Sequence, residues 1–254
     1  MAEVLSPAAG LRSVRAVVFD TDGVITDSAP VHAAAWKKAF DACLASHEGQ
    51  RPFDADEDYR RYVDGKARQD GAVSFLASRG IDLPEGTPDD PPGTATVRAV
   101  TARKDEEFVR SLRERPVDVW PGTVRLLRVL RERGVPCAAA SASRHATELI
   151  SGAGLLDLFA AVVDGNEARR LDLPGKPDPA LFTEAARRLG TPPDDTAVVE
   201  DALAGVEAGR RGGFGLVIGV DRSRSAAGAA GLRRHGADIV VPDLGDLLAE
   251  EETR

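Results

Sequence analysis

Short apolar runs alternate with amphipathic stretches along most of the chain. The runs Arg15–Asp20, Val135–Ala140, Ala161–Val163, Thr196–Glu200, Leu216–Val220 and Ile239–Val241 are rich in Val, and several are apolar throughout. A strand with one solvated face alternates apolar and polar residues. A strand covered on both faces does not, so these runs predict a parallel sheet with helices on each side. The intervening stretches have helical spacing: Thr123–Arg133 carries Val124, Leu127 and Leu130. Pro179–Leu189 places Pro179 in its first turn and Gly190 just past its end, as expected for a helix. Strand and helix in alternation predict a Rossmann-like, doubly wound α/β fold.

One interval breaks this rhythm. Between Asp27 and Pro116 the pattern predicts helices at Val31–Leu44, Gly71–Ser78 and Thr94–Leu112, separated by the polar, Pro-rich stretch Asp82–Gly93. We read residues 29–116 as a helical cap domain inserted into a core built from residues 1–28 and 117–254. A helical insert leaving the end of a strand can act as a lid over a site there. The cluster Gly209–Gly215 reads as a turn before the next strand. The charged tail after Leu248 reads as frayed.

Composition narrows the function classes. The chain has 254 residues, 43% of them hydrophobic, enough for a large core. A formal net charge of −8 argues against non-specific nucleic-acid binding and against an anionic membrane surface. It leaves a phosphorylated substrate open, since a few placed cations can hold one. Cys43 and Cys137 are far apart and suggest neither a disulfide framework nor a metal site. No stretch has the length of a membrane span, and Met1–Arg15 lacks the features of a signal peptide. A cytoplasmic protein, monomeric or weakly homo-oligomeric, is expected.

The candidate chemistry lies at the carboxyl ends of the predicted strands, where open parallel sheets bind ligands. The first strand ends in Asp20, followed by Thr21, Asp22 and Gly23; the second ends at Ser141; the fourth ends in Glu200 and Asp201; Lys176 lies in the loop Gly175–Pro179. Four carboxylates on one rim raise one another's pKa. A hard dication such as Mg2+ resolves the repulsion, with Asp20, Glu200 and Asp201 as carboxylate donors and a backbone carbonyl near Asp22 as another oxygen. Lys176 adds a fixed positive charge and Ser141 a hydroxyl at a helix-initiating turn. Cations and donors around a carboxylate suit the transfer of an anion. Asp22, two positions beyond Asp20, can reach past it as a general acid and base.

The run Val17-Val18-Phe19-Asp20-Thr21-Asp22-Gly23-Val24 resembles the first motif of the haloacid dehalogenase superfamily, and Ser141, Lys176 and Glu200-Asp201 follow in the order of its other three. The resemblance spans essentially the whole chain, cap included. It implies Asp20 as nucleophile, Asp22 as general acid/base, Ser141 and Lys176 as phosphate ligands, and Glu200 with Asp201 holding magnesium. The stretch Asp20–Ser28 further resembles the β-phosphoglucomutase branch, with His32 and Trp36 matching its hinge residues. Val63-Asp64-Gly65-Lys66-Ala67-Arg68 resembles its cap segment with a phosphate-binding arginine, Arg68, and Arg103-Lys104-Asp105 its second cap cation, Lys104. Ser141-Ala142-Ser143 resembles its second motif, which adds Ala142 and Arg144 to the substrate-binding candidates. That branch converts β-D-glucose 1-phosphate to glucose 6-phosphate through a bisphosphate. Its cap cations hold the phosphate that is away from the metal, a task suited to the guanidinium fork of Arg68. The chain departs from the branch at Thr21 (usually apolar), Pro30, Arg144 and His145, and in a longer cap; these bear on sugar specificity.

Other readings of the same residues are weaker. Asp-x-Asp-Gly also occurs in plain turns. An EF-hand is excluded because Ile25 and Val31 stand where Gly and Glu are needed. A P-loop is excluded by Arg170 and Pro177. Ser141 could be only a helix N-cap, and Glu200-Asp201 only a helix-start pair. As whole-protein rivals, a sugar-phosphate phosphatase shares the acyl-phosphate step, and a non-catalytic regulator binding a sugar phosphate shares the scaffold.

Overall fold

Six parallel strands form the main sheet of the computed structural model, which describes residues 5–7, 11 and 13–250. In chain order the strands are β1 (Leu5–Pro7), β2 (Ala16–Phe19), β3 (Cys137–Ala140), β4 (Ala161–Val163), β5 (Thr196–Glu200), β6 (Leu216–Val220), β7 (Ile239–Val241) and β8 (Leu248–Glu250). The sheet order is β4-β3-β2-β5-β6-β7, with Val18 opposite Ala138 on one side and Val198 on the other. The chain moves outward from β2 through β3 to β4, then crosses back to β5 and continues to β7. The winding reverses between β2 and β5, so this α/β sheet is doubly wound, with its switch point between those two strands.

The reason the strands read as continuous apolar runs is visible in their packing. Val17 and Phe19 point into one cluster with Leu126, Leu127, Leu130 and Ile150, while Val18 points into another with Leu181, Phe182, Ala185 and Val206. The first layer comes from α4 (Pro121–Glu132) and α5 (Ala146–Gly152). The second comes from α7 (Ala180–Arg188), α8 (Leu203–Arg211) and α9 (Ala226–His235). A short helix, α6 (Gly165–Arg170), follows β4.

Two details differ from the sequence reading. The tail expected to fray after Leu248 is a strand as far as Glu250, because β8 pairs antiparallel with β1, Ser6 opposite Ala249; residues 251–254 lie outside the described residues. The Gly209–Gly215 cluster is not all turn. α8 runs through Gly209, where the missing side chain admits Val198 and Val217; a Cβ there would lie 3.2 Å from Val217.

The chain divides into two compact units, Met1–Asp27 with Asp118–Arg254, and Ser28–Val117. In the first, the points where the second leaves and returns are tied together: Asp27 N–H donates to Asp118 O at 2.8 Å and Trp120 N–H to Ile25 O at 3.0 Å. The second unit is helical, built from α1 (Ala29–Leu44), a π-turn at Tyr59–Val63, α2 (Arg68–Ser78) and α3 (Val97–Glu114). α3 starts later than its apolar pattern suggests, because Thr96 caps it by accepting from Ala99 N–H. Phe40, Phe53 and Phe75 pack within 5.1 Å of one another, ring centre to ring centre, and Trp36 stacks on Phe40. The buried carboxylate of Asp58 is balanced by Arg51 and Arg79. No helix of the described residues is long and apolar enough to cross a membrane.

Candidate active site

The switch point brings Asp20 and Glu200 side by side. Asp20 follows β2 directly, its N–H donating to Val199 O at 2.9 Å, and Glu200 is the last residue of β5. Between them sits Lys176, whose Nζ donates to Asp20 Oδ1 at 2.5 Å and to Glu200 Oε1 at 2.7 Å. All three are buried, Glu200 completely. Lys176 reaches this position from a turn closed by Asp178 N–H to Gly175 O. Asp178 in turn accepts from Ala180 N–H at the start of α7, and the Lys176 ammonium lies over the Phe182 ring.

Charge in this cluster is set by burial and by neighbours. Burial lifts the Asp20 carboxyl well above the usual carboxylate range; Lys176 opposes the lift, and Glu200 and Asp22 add to it. Burial alone lowers an ammonium, but Asp20 and Glu200 outweigh it and hold Lys176 above its ordinary value.

Asp22 lies on the other side of Asp20's turn. Its Oδ2 accepts from Ser141 Oγ at 3.3 Å, and Ser141 Oγ itself accepts from Ser143 N–H at 3.1 Å. Ser141 is not an N-cap. α5 begins at Ala146, so Ala142–His145 form a loop between the serine and the helix. That loop is braced from β4's end: Gly165 N–H donates to Ser143 O at 2.9 Å and Asn166 Nδ2 to Arg144 O at 2.9 Å. A Cβ on Gly165 would sit 2.5 Å from Ala142 O, so only glycine allows this approach.

The acids have different partners. Glu200 accepts from Lys176 through Oε1 and from Ala202 N–H through Oε2 at 2.6 Å. Both of its oxygens are thus engaged by protein donors. Gly205 is what admits it, since a Cβ there would lie 1.7 Å from Glu200 Oε1. Asp201, by contrast, lies across the turn at Gly23: a Cβ on Gly23 would fall 1.8 Å from Asp201 Oδ2, and Gly23 has φ +78°. Gly23 thus serves twice, giving the turn its left-handed backbone and leaving a cradle for the Asp201 carboxylate. Among the described residues no three His, Cys, Asp or Glu side chains form a ready cage. Hard oxygen donors that need a phosphate to complete them fit magnesium's habit of binding through one or two carboxylates plus substrate.

Thr21 is fully buried, and its Oγ1 meets no hydrogen-bond partner among the described residues. Thr21→Val keeps the shape and removes the orphan hydroxyl. It should leave stability unchanged or raise it by about 1 kcal/mol, read as the midpoint of urea unfolding.

The remaining predicted site residues lie in the helical unit. Lys104 Nζ is 2.8 Å from His32 Nδ1 and lies 4.5 Å from the centre of the Phe108 ring and 5.7 Å from that of Trp36. The His32 ring stacks on Phe108. Arg68 forms an ion pair with Asp105, a partner the sequence reading did not pick out although it adjoins Lys104.

The order of these groups around the switch point, and the insert after β2, can be compared with known proteins. A sequence model described as haloacid dehalogenase-like hydrolase matches residues 14–213. The chain belongs to the haloacid dehalogenase-like hydrolases. A β-phosphoglucomutase of Mycobacterium bovis is 46% identical over 252 residues, covering 97% of this chain and 96% of that protein. A β-phosphoglucomutase of Bacillus subtilis is 32% identical over 238 residues, covering 93% of each. Among solved structures, β-phosphoglucomutase from Clostridium difficile shares the fold, with a TM-score of 0.72 at 23% identity, covering 92% of this chain and 93% of that one. Within the haloacid dehalogenase family the chain falls in the β-phosphoglucomutase-like branch, and it is an enzyme of phosphoryl transfer, a phosphotransferase or phosphatase.

Proposed function

We propose that this haloacid dehalogenase-family enzyme converts β-D-glucose 1-phosphate to glucose 6-phosphate, through a phosphoryl group carried on Asp20. The observation that carries the mechanism is Lys176 held between Asp20 and Glu200 at the switch point. The likeness to proteins named β-phosphoglucomutase supports the sugar.

In this reading Asp20 accepts phosphorus from the substrate oxygen and returns it to another. Asp22, aimed by Ser141, takes the proton of the attacking sugar hydroxyl and later gives it back to the oxygen that loses phosphorus. Lys176 and the Ser141 loop hold the phosphoryl oxygens, so positioning and charge do most of the work. Magnesium, when bound, would neutralise the transferring oxygens; Asp20, Asp201 and a backbone oxygen near Asp22 are the groups that would hold it, with Glu200 behind them. Arg68 takes the second phosphate of the bisphosphate, and Lys104, His32 and Trp36 are the other substrate-binding groups of the helical unit.

Gly23→Ala tests the cradle. A methyl there must push Asp201 aside, so the magnesium needed for half-maximal rate should rise about 10- to 100-fold, with a matching loss in a calorimetric Mg2+ titration.

A sugar-phosphate phosphatase is the second reading, and the Arg68–Asp105 ion pair favours it. A guanidinium already neutralised by a carboxylate has less to offer a second phosphate. One assay separates the two. β-D-glucose 1-phosphate, Mg2+ and a trace of bisphosphate primer should yield glucose 6-phosphate without inorganic phosphate, and EDTA should stop it. Release of inorganic phosphate alone would establish the phosphatase. Arg68→Ala should cripple the mutase far more than hydrolysis of a small phosphate ester.

A further inference from the structure

A further cation, the partly buried Arg222, follows β6 and touches the nucleophile loop. β6 ends at Val220, and the next residue, Asp221, folds the chain into a tight turn. Its carboxylate accepts from Ser223 N–H at 3.1 Å, Ser223 Oγ at 2.6 Å and Ser225 N–H at 3.1 Å. That turn sends Arg222 inward, leaving its side chain 16% exposed. Its Nε donates to Gly23 O at 3.0 Å and its Nη2 to Val24 O at 3.3 Å. Its Nη1 donates to Pro242 O at 3.3 Å and to Asp243 Oδ2 at 3.0 Å. The guanidinium carbon lies 4.0 Å from the centre of the Trp120 ring.

This is more support than a surface arginine receives. Asp243 is itself fixed, accepting from Gly245 N–H at 2.8 Å, and it fits only because Gly122 has no side chain; a Cβ there would lie 1.7 Å from Asp243 Oδ1. Val24 O also accepts from Thr123 Oγ1 at 2.6 Å, so the carbonyl is held by two donors. A planar guanidinium bonds two consecutive carbonyls from a rigid fork and keeps donors for Pro242 and Asp243; the single nitrogen of a lysine cannot span all four. The two carbonyls belong to the turn that begins with Asp20 and Asp22.

We propose that Arg222 is a positioning residue for phosphoryl transfer: by gripping the Gly23 and Val24 carbonyls it fixes the turn that aims Asp22 and seats Asp201. The proposal rests on the roles given above to Asp20 and Asp22, but the grip itself can be tested without them. Arg222 touches neither reacting group in this structure, so its influence runs through the backbone.

The experiment uses the full chain with Arg222→Gln and Arg222→Lys. In metal-free protein, hydrogen exchange of the Ile25 and Thr26 amides, which donate to Thr21 O, should speed up about tenfold or more in Arg222→Gln. The amides of β5 and α7 should keep the parent's protection. In the loaded enzyme kcat should fall about 10- to 100-fold with KM within a factor of about three, because a turn displaced by an ångström misplaces the acid/base group and leaves substrate binding in place. Arg222→Lys should recover only part of the rate, and it carries the same test if the glutamine variant does not fold. Unchanged exchange at Ile25 and Thr26, or a kcat equal to the parent's in a folded variant, would overturn the proposal. So would exchange that rises uniformly across the sheet, since that marks general destabilisation. The exchange result needs no substrate, so failure of the assigned reaction would leave it readable on its own.

Discussion

Asp20→Asn protein will fold and will turn over phosphosugar about 10^4- to 10^6-fold more slowly than the parent, the size of loss seen when a nucleophile is removed from a working catalytic set. The asparagine keeps the size of the side chain and can still accept from Lys176, whose second partner, Glu200, is untouched. What is lost is an oxygen able to form a bond to phosphorus. Stability should hold or improve, because burial and two neighbouring negative charges disfavour a carboxylate at this position. Steady-state rates with β-D-glucose 1-phosphate and magnesium, with a thermal unfolding curve on the same sample, check both halves. A folded variant with a rate within about tenfold of the parent would remove Asp20 from the chemistry and take the aspartyl-phosphate scheme with it.

Lys176→Met should damage both the fold and the reaction. Lys176 is the ammonium shared by two buried carboxylates, and its loss leaves both facing each other without a counter-charge. Breaking a buried ion pair from one side costs about 3–5 kcal/mol, a large part of a typical domain's stability. Adding Glu200→Gln to Lys176→Met should return part of that stability, since one of the stranded charges is gone. It should return none of the activity, since the phosphate ligand is still missing. Chemical denaturation of the single and double variants, beside their rates, tests this pairing. If the single variant unfolds at the parent's denaturant midpoint, the cluster is not the electrostatic unit described here.

The two variants separate what could be read from residues in order from what needed coordinates. The strands β2, β3, β5 and β6 were legible because each is buried on both faces and so reads as an apolar run; the edge strands β4 and β7, only partly covered, were legible from their short Val-containing runs. Asp20, Asp22, Ser141, Glu200 and Asp201 stood out as candidates because polar residues at the end of such runs have few structural reasons to be there; Lys176, in the loop Gly175–Pro179, stood out as a cation to set against so many acids. Gly205, Gly165 and Arg222 were not legible in the same way. Two are glycines in ordinary helical or turn surroundings, and the arginine lies in a charged loop, Asp221–Ser225, that reads as solvated surface. A search for polar residues at the end of every strand, β6 included, would have singled out Asp221 and Arg222. No sequence signal would have shown that Arg222 faces the Gly23 turn.

What the sequence by itself determined is the order of strands and helices, the interruption after β2 and the identity of the acids on the rim, because burial pattern and residue chemistry are local properties. The packing of distant segments settled which partner each of those acids meets. Glu200 faces Lys176 and a backbone N–H, while Asp201 faces the bare Cα of Gly23, though the two are neighbours in the chain. That division depends on which group from a distant segment fills the space beside each oxygen. Such contacts between residues far apart in sequence are set by how layers pack, which no local pattern encodes.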